Sequence, residues 1–193
     1  MGRPAEFERE KVLEKAMHAF WECGYGGTGV SQLSKVTRLK PGSLYGAFES
    51  KEALFLEALE AYGKASVKQV RSTLSAGASP LGAIREHFMN LASEASGPYS
   101  KRSCLLVNTV LELARKDSKV QEHVNRQFEA IEAVLRETLV RAKKAGELAA
   151  DADPEALAAY LITSIWGLRV LGGTAPEPGR AKAVARQILS VLA

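Results

Sequence analysis

With 193 residues, 46% hydrophobic and 25% charged, the chain is long enough to bury a sizeable core, in one domain or two small ones. A formal charge of +4 permits an anionic partner without requiring one, and residues 1–70 carry 10 basic against 9 acidic side chains, so any anion-binding surface must come from local placement. Cys23 and Cys104 fit neither a disulfide framework nor a metal site, no apolar run approaches the ~20 residues of a membrane span, and MGRPAEFEREK holds no signal-peptide core; a soluble cytoplasmic protein with no metal and no cofactor is expected.

Between Phe7 and Cys23, Val12, Leu13, Ala16, Met17 and Phe20 recur at three- and four-residue steps, opposite Glu8, Lys11, Glu14 and Lys15. That spacing predicts an amphipathic helix. Gly24-Tyr25-Gly26-Gly27 is expected to stop it. These glycines do not make a dinucleotide loop, because that fingerprint needs a strand before it and a helix stands there. Two short helices follow at about 30–37 and 41–47, divided by Lys40-Pro41; proline at a first helical position lacks only an amide that has no partner there. Ser50 caps a helix from Lys51 past residue 70, carried by Leu54, Phe55, Ala58, Leu59 and Tyr62.

Beyond a linker at 75–79, Ser79-Pro80 opens a helix to about Ala95, ended by Gly97-Pro98. A short apolar helix is expected from Cys104 to Ala114, and a long one, capped by Asp117 or Ser118, to about Ala145. Another runs from Asp153-Pro154 to about Gly172-Gly173, and the last covers about Gly179 to Leu192. The fold class read from this pattern is all-α, with nine or ten helices and no strand.

Two helices of about seven residues joined by a tight connection, with a third before them, have the layout of a helix-turn-helix unit. Leu33, Val36, Leu39, Leu44 and Phe48 can form its small core, leaving Lys40, Gly42, Ser43 and Tyr45 on the outer face of the second short helix. A cation, a bare backbone, a hydroxyl and a phenol are groups that bind phosphate oxygens and base edges. Thr28 and Lys51 sit at expected helix starts, where free backbone amides also favour phosphate.

The stretch GYGGTGVSQLSKVTRLKPGSLYGAFESKEALF, with Tyr45, Phe48, Lys51, Glu52 and Leu54 in its tail, resembles the amino-terminal signature of the TetR family of transcriptional repressors. The likeness runs over about residues 7–60. It implies that residues 41–47, opened by Pro41, enter the major groove of double-stranded operator DNA, that Tyr45 and Lys51 grip phosphate, and that Thr28 does so from the preceding helix. It also implies a helix-turn-helix DNA-binding domain over residues 1–50 and a helical domain over 51–193 that dimerises and binds a small-molecule inducer of unknown identity. Two positions depart from the family: Arg38 stands where glycine is usual in the turn, and Gly46 where a larger residue is common. Either the turn is built differently or Arg38 takes a glycine-like conformation with strain, and its guanidinium is a candidate DNA contact. Gly2-Arg3-Pro4 is either a basic arm for a neighbouring groove or a disordered start.

From Leu157 to Leu171 the sequence LAAYLITSIWGLRVL is apolar almost all round, so its helix should be buried on more than one side. Ala181, Val184, Ala185, Ile188 and Leu192 add a stripe on the last helix. Helices at about 154–172 and 179–192 either form a four-helix bundle with a second copy or fill an internal core; a two-fold DNA reader requires the bundle. Between Ser103 and Leu113, Cys104, Asn108 and Leu111 share a face at helical spacing. Asn108 either bonds a neighbouring helix or joins Cys104, Phe88 and Trp166 in lining a mostly apolar ligand pocket. This segment resembles a TetR subgroup with a Cys-Leu-Leu-x-Asn-Thr stretch, some of whose members respond to electrophiles or oxidants. Lys101 and Arg102 would then favour a Cys104 thiolate.

An all-α enzyme is the rival reading, but His18, His87 and His123 lie on separate expected helices, and neither a His-Glu-x-x-His pair nor a Gly-x-Ser-x-Gly elbow occurs. A helical interaction module without DNA binding is the other alternative. The expectation is a homodimeric, ligand-responsive repressor and not an enzyme.

Overall fold

The computed structural model describes residues 3–97, 103–114, 116–177 and 179–192, with side chains from residue 9 onward. The elements in order are α1 (Arg3–Gly27), α2 (Val30–Thr37), α3 (Pro41–Phe48), α4 (Lys51–Ser75), α5 (Pro80–Ala95), α6 (Leu105–Thr109), a π turn (Val110–Ala114), α7 (Ser118–Lys144), α8 (Pro154–Gly173), α9 (Arg180–Leu189) and a closing 3-10 turn (Ser190–Leu192). No strand occurs among the described residues.

Side-chain caps fix the starts. Ser50 Oγ accepts from the Ala53 amide at 3.0 Å, and Asp117 Oδ1 accepts from Lys119 and Val120 at 3.0 and 3.2 Å. Ser79 Oγ accepts from the Gly82 amide and donates to Glu147, whose carboxylate also takes the Leu81 amide at 2.7 Å. Each such cap satisfies an amide the helix cannot, and losing one costs about 1 kcal/mol.

Two expected helices are built differently. The glycine cluster kinks α1 rather than ending it: Gly24 takes φ 72° and ψ 174°, and a last turn continues to Gly27. The apolar segment after Cys104 is helical only to Thr109, then widens into the π turn. Cys104 precedes the helix in an extended conformation and Leu111 is 72% exposed, so the shared face expected for Cys104, Asn108 and Leu111 does not form.

Helices α1, α2, α3 and the first turns of α4 enclose Phe20, Leu33, Leu44, Phe48, Leu54 and Phe55, all essentially buried. From there α4 runs on into a body made with α5 to α9, lying along α7, where a Cβ at Gly63 would overlap Gln127. Contrary to the expectation that no segment approaches a membrane span, α8 is long and apolar enough to cross one by length and composition, a test that a core helix also passes. Ala158, Leu161, Ile162 and Leu168 bury one side of it against the body, while Tyr160 and Val170 remain 42% and 46% exposed. The burial expected on a second side is thus absent within one chain.

Candidate nucleic-acid interface and regulatory cavity

The turn between α2 and α3 starts from Thr37, whose buried hydroxyl donates to the Leu33 carbonyl at 2.7 Å and accepts from the Leu39 amide at 3.4 Å. Arg38 follows at φ 61° and ψ 25°, the left-handed conformation that glycine takes without cost. The turn is therefore the glycine-type turn, made with a strained arginine. Lys40 is extended, its carbonyl accepts from the Leu44 amide at 3.0 Å, and Pro41 sits at the first helical position.

Helix α3 buries Leu44 and Phe48 and presents Pro41, Gly42, Ser43, Gly46 and Ala47 outward, with Arg38 and Lys40 beside them. A Cβ added at Gly42 or Gly46 would meet nothing within 4 Å, so internal packing does not demand glycine at either place. The face is small, polar and cationic. Tyr45 is half-buried against the core rather than on this open face.

Lys51 opens α4 with its Nζ 4.2 Å from the centroid of the Tyr25 ring, beside the helix start that Ser50 caps. Tyr25 packs on Phe55 at 4.9 Å; burial, and after it the charges of Glu52 and Asp117, raise its phenol above the ordinary range. Thr28 requires a correction. It precedes the Gly29 cap of α2, is 0% exposed, and its hydroxyl faces the Gly24 and Ala19 carbonyls at 2.6 and 3.2 Å, out of reach of any external phosphate. The side chains of Arg3 and Pro4, and all of Gly2, lie outside the described residues.

Sequence reasoning missed Arg9. Its guanidinium pairs with Glu57 at 2.7 Å, approaches the Ala47 carbonyl at 3.5 Å and lies 4.3 Å over the Phe48 ring, tying α1 to α3 and α4. An arginine among charged neighbours carries no signal of this in the sequence.

In the body, a small cavity of about 60 Å³, open to solvent at its mouth, lies among α4, α5, α6, α7 and α8. Cys104 and Trp166 line it, together with Tyr62, His87, Phe128 and Arg169. Phe88 and Asn108 do not. Phe88 is 0% exposed and points into the core, because one residue along α5 is a rotation of about 100° and it is His87 that faces the cavity. Asn108, whose amide donates to the Cys104 carbonyl at 2.9 Å in the first turn of α6, is not part of the lining.

Most of the lining is apolar. Trp166 Nε1 is buried with no hydrogen-bond partner among the described residues, while its ring packs on Phe128 at 4.7 Å. Tyr62 donates its hydroxyl towards Cys104 Sγ at 3.7 Å, and burial, then Cys104, drive its phenol far above the ordinary range. His87 is pushed down to about 4 by burial and then by the Arg169 cation, with Glu94 opposing, so it is neutral at pH 7. Lys101 and Arg102 lie outside the described residues. No cluster of three or more metal-ligating side chains occurs among the described residues.

A three-helix head whose third helix is short and small-faced, carried on an all-helical body with a small cavity, defines a helix-turn-helix transcriptional regulator. The chain belongs to the TetR family: residues 12–58 match the model for bacterial regulatory proteins of the tetR family, and residues 78–187 match the tetracyclin repressor-like C-terminal domain. It is similar to the uncharacterized HTH-type transcriptional regulator YezE of Bacillus subtilis (strain 168), 32% identical over 193 residues that cover 100% of both chains. It is also similar to the HTH-type transcriptional repressor ComR of Escherichia coli (strain K12), 26% identical over 88% of this chain and 81% of that one. A cysteine mutant of the TetR family regulator CifR, solved with 26-bp double-strand operator DNA, superposes with a TM-score of 0.83 at 29% identity over 94% of each chain.

Proposed function

We propose that the protein is a cytoplasmic, homodimeric repressor, without enzymatic activity, that binds a roughly palindromic operator and leaves it when a small molecule enters the cavity. In this reading residues 1–50 read DNA and residues 51–193 bind the inducer and dimerise. The observation that carries it is the outward face of α3, where Gly42 and Gly46 have no internal reason to be glycine and a bare backbone allows close approach to a groove.

Lys40, Ser43 and Arg38 are the base-reading candidates, with the Ala47 methyl available to a thymine methyl. Lys51 and Tyr45 position the head on phosphates. In each subunit α8, α9 and the closing turn supply the dimer face, a reading supported by the exposure of Tyr160, Val170, Val184 and Val191 in a single chain. The inducer class that suits the cavity is a small, mostly apolar molecule with a hydrogen-bond acceptor for Trp166 Nε1.

Selection of bound DNA from a random pool, with gel shifts on the enriched sequence, tests the reading. A palindromic consensus bound by two subunits is expected. Weak, sequence-independent binding would instead support a helical module that has lost its operator.

Cys104 adds a second route to release, since its thiol lines the cavity. Addition of the thiolate to an activated alkene such as N-ethylmaleimide forms a C–S bond and breaks the alkene π bond, the proton returning to the neighbouring carbon. It should weaken operator binding in a Cys23→Ser background, which removes the exposed competing thiol. Complete modification of Cys104 with unchanged affinity would sink this route and leave reversible binding standing.

A further inference from the structure

The kink in α1 exposes a need. With Gly24 at φ 72°, the Tyr25 and Gly26 amides leave the helical ladder and require acceptors. Both find the same group. Glu112 Oε2 accepts from the Tyr25 amide at 3.0 Å and Oε1 from the Gly26 amide at 2.6 Å, a charge-assisted two-point grip. The fit is close: a Cβ at residue 24 would stand 2.7 Å from Glu112 Oε2.

Glu112 lies in the π turn, eight residues after Cys104, about 12 Å along the segment whose Cys104, Leu106 and Val107 form one wall of the cavity. At the other end of that wall the Ser103 carbonyl accepts from Trp21 Nε1 at 3.1 Å. The α6 segment thus holds the second half of α1 at two points. From the kink, the Thr28 hydroxyl donates to the Gly24 carbonyl at 2.6 Å, and Gly29 caps α2 directly after it. A continuous chain of contacts therefore runs from the cavity wall to the helix-turn-helix, separate from the covalent path along α4.

We propose that Glu112 is a positioning residue, a latch that holds the α1 kink, and through it α2 and α3, in the DNA-reading arrangement, and that displacement of the α6 wall withdraws its carboxylate. The latch rests on the reading of the cavity as the inducer site. A ligand that moves the wall must then prefer the unlatched state, and operator DNA the latched one.

Operator affinity of four proteins tests this: wild type, Glu112→Gln, the cavity-filling Val107→Phe, and the double variant, each checked for folding by thermal melt. Glu112→Gln, which lacks the charge and one acceptor oxygen, is expected to weaken binding about tenfold and Val107→Phe by a similar factor, whereas the double variant is expected to be no more than about twofold weaker than either. Effects that multiply to about a hundredfold would overturn the latch while leaving the cavity coupled to DNA by another route. A folded Val107→Phe with unchanged affinity would overturn both. So would unchanged or tighter binding by Glu112→Gln overturn the latch alone.

Hydrogen exchange supplies a measurement that needs no cavity variant. Coupling is reciprocal, so operator DNA should slow exchange at the Tyr25 and Gly26 amides about tenfold in the wild type and not in Glu112→Ala. Equal slowing in both proteins would rule the latch out.

Discussion

The outward face of α3 and the lining of the cavity are both candidate sites, yet they are built in opposite ways. Arg38, Lys40, Ser43, Gly46 and Ala47 are exposed and do little for the fold, whereas Tyr62, His87, Cys104 and Trp166 sit where five helices meet. Substitutions on the first surface should change DNA binding and shift stability by about 1 kcal/mol at most. In the cavity, function and stability share the same atoms.

His87 gives the largest expected departure. An unfolded histidine titrates near 6.5, and the folded one near 4, so between these values the unfolded chain binds a proton that the native one refuses. Stability is full above about pH 6.5, falls as pH drops towards 4, and loses about 3 kcal/mol from this group before levelling. Urea melts of wild type and His87→Gln across that window should differ by this slope. Parallel pH profiles would remove the neutral buried histidine from the account.

Gly63→Ala comes next. Its Cβ would overlap Gln127 Cγ and Cδ, and Gln127 is 7% exposed and bonded to Glu60 at 2.9 Å, so the amide cannot simply swing out. Overpacking at this crossing of α4 and α7 should cost about 2 kcal/mol, read as a lowered midpoint in urea. On the DNA side, Lys51→Ala should leave the midpoint nearly unmoved, weaken binding about equally for all sequences and reduce the salt slope by about one unit. A large loss of stability in Lys51→Ala would mean that its contact with the Tyr25 ring, rather than phosphate, is its main role.

The same contrast explains what could be read in advance. The starts of α3, α4, α5, α7 and α8 follow from local chemistry, Ser50, Ser79, Asp117 and the prolines at 41, 80 and 154, which acts within one turn. The cavity depends on which way each helix is rotated after packing. Phe88 and His87 are adjacent in sequence, and only the tertiary contacts decide which of them faces the opening. Cys104 and Asn108 have helical spacing, but Cys104 is the extended cap of α6, and of the two only Cys104 lines the opening. Thr28 matches a motif position, yet the kink at Gly24 draws its hydroxyl inward. Glu112 carries no local signal at all, since the amides it serves are more than eighty residues away.

The smallest expected effects are the most informative about DNA recognition. Arg38 occupies a backbone conformation suited to glycine, and Gly46 occupies a helical one suited to anything, so each position holds the residue the fold prefers less. Arg38→Gly should stabilise the protein by about 1 kcal/mol through relief of left-handed strain, and Gly46→Ala by about 0.5–1 kcal/mol through helix propensity. If both residues are kept for DNA, both variants should also bind the operator more weakly. Arg38→Gly would do so by losing a cation, with a shallower salt dependence, and Gly46→Ala by holding the α3 backbone off the groove, with the salt dependence unchanged. A stabilised Gly46→Ala that binds as tightly as wild type would show that close backbone approach at residue 46 is not used, and base reading would then rest on Lys40 and Ser43.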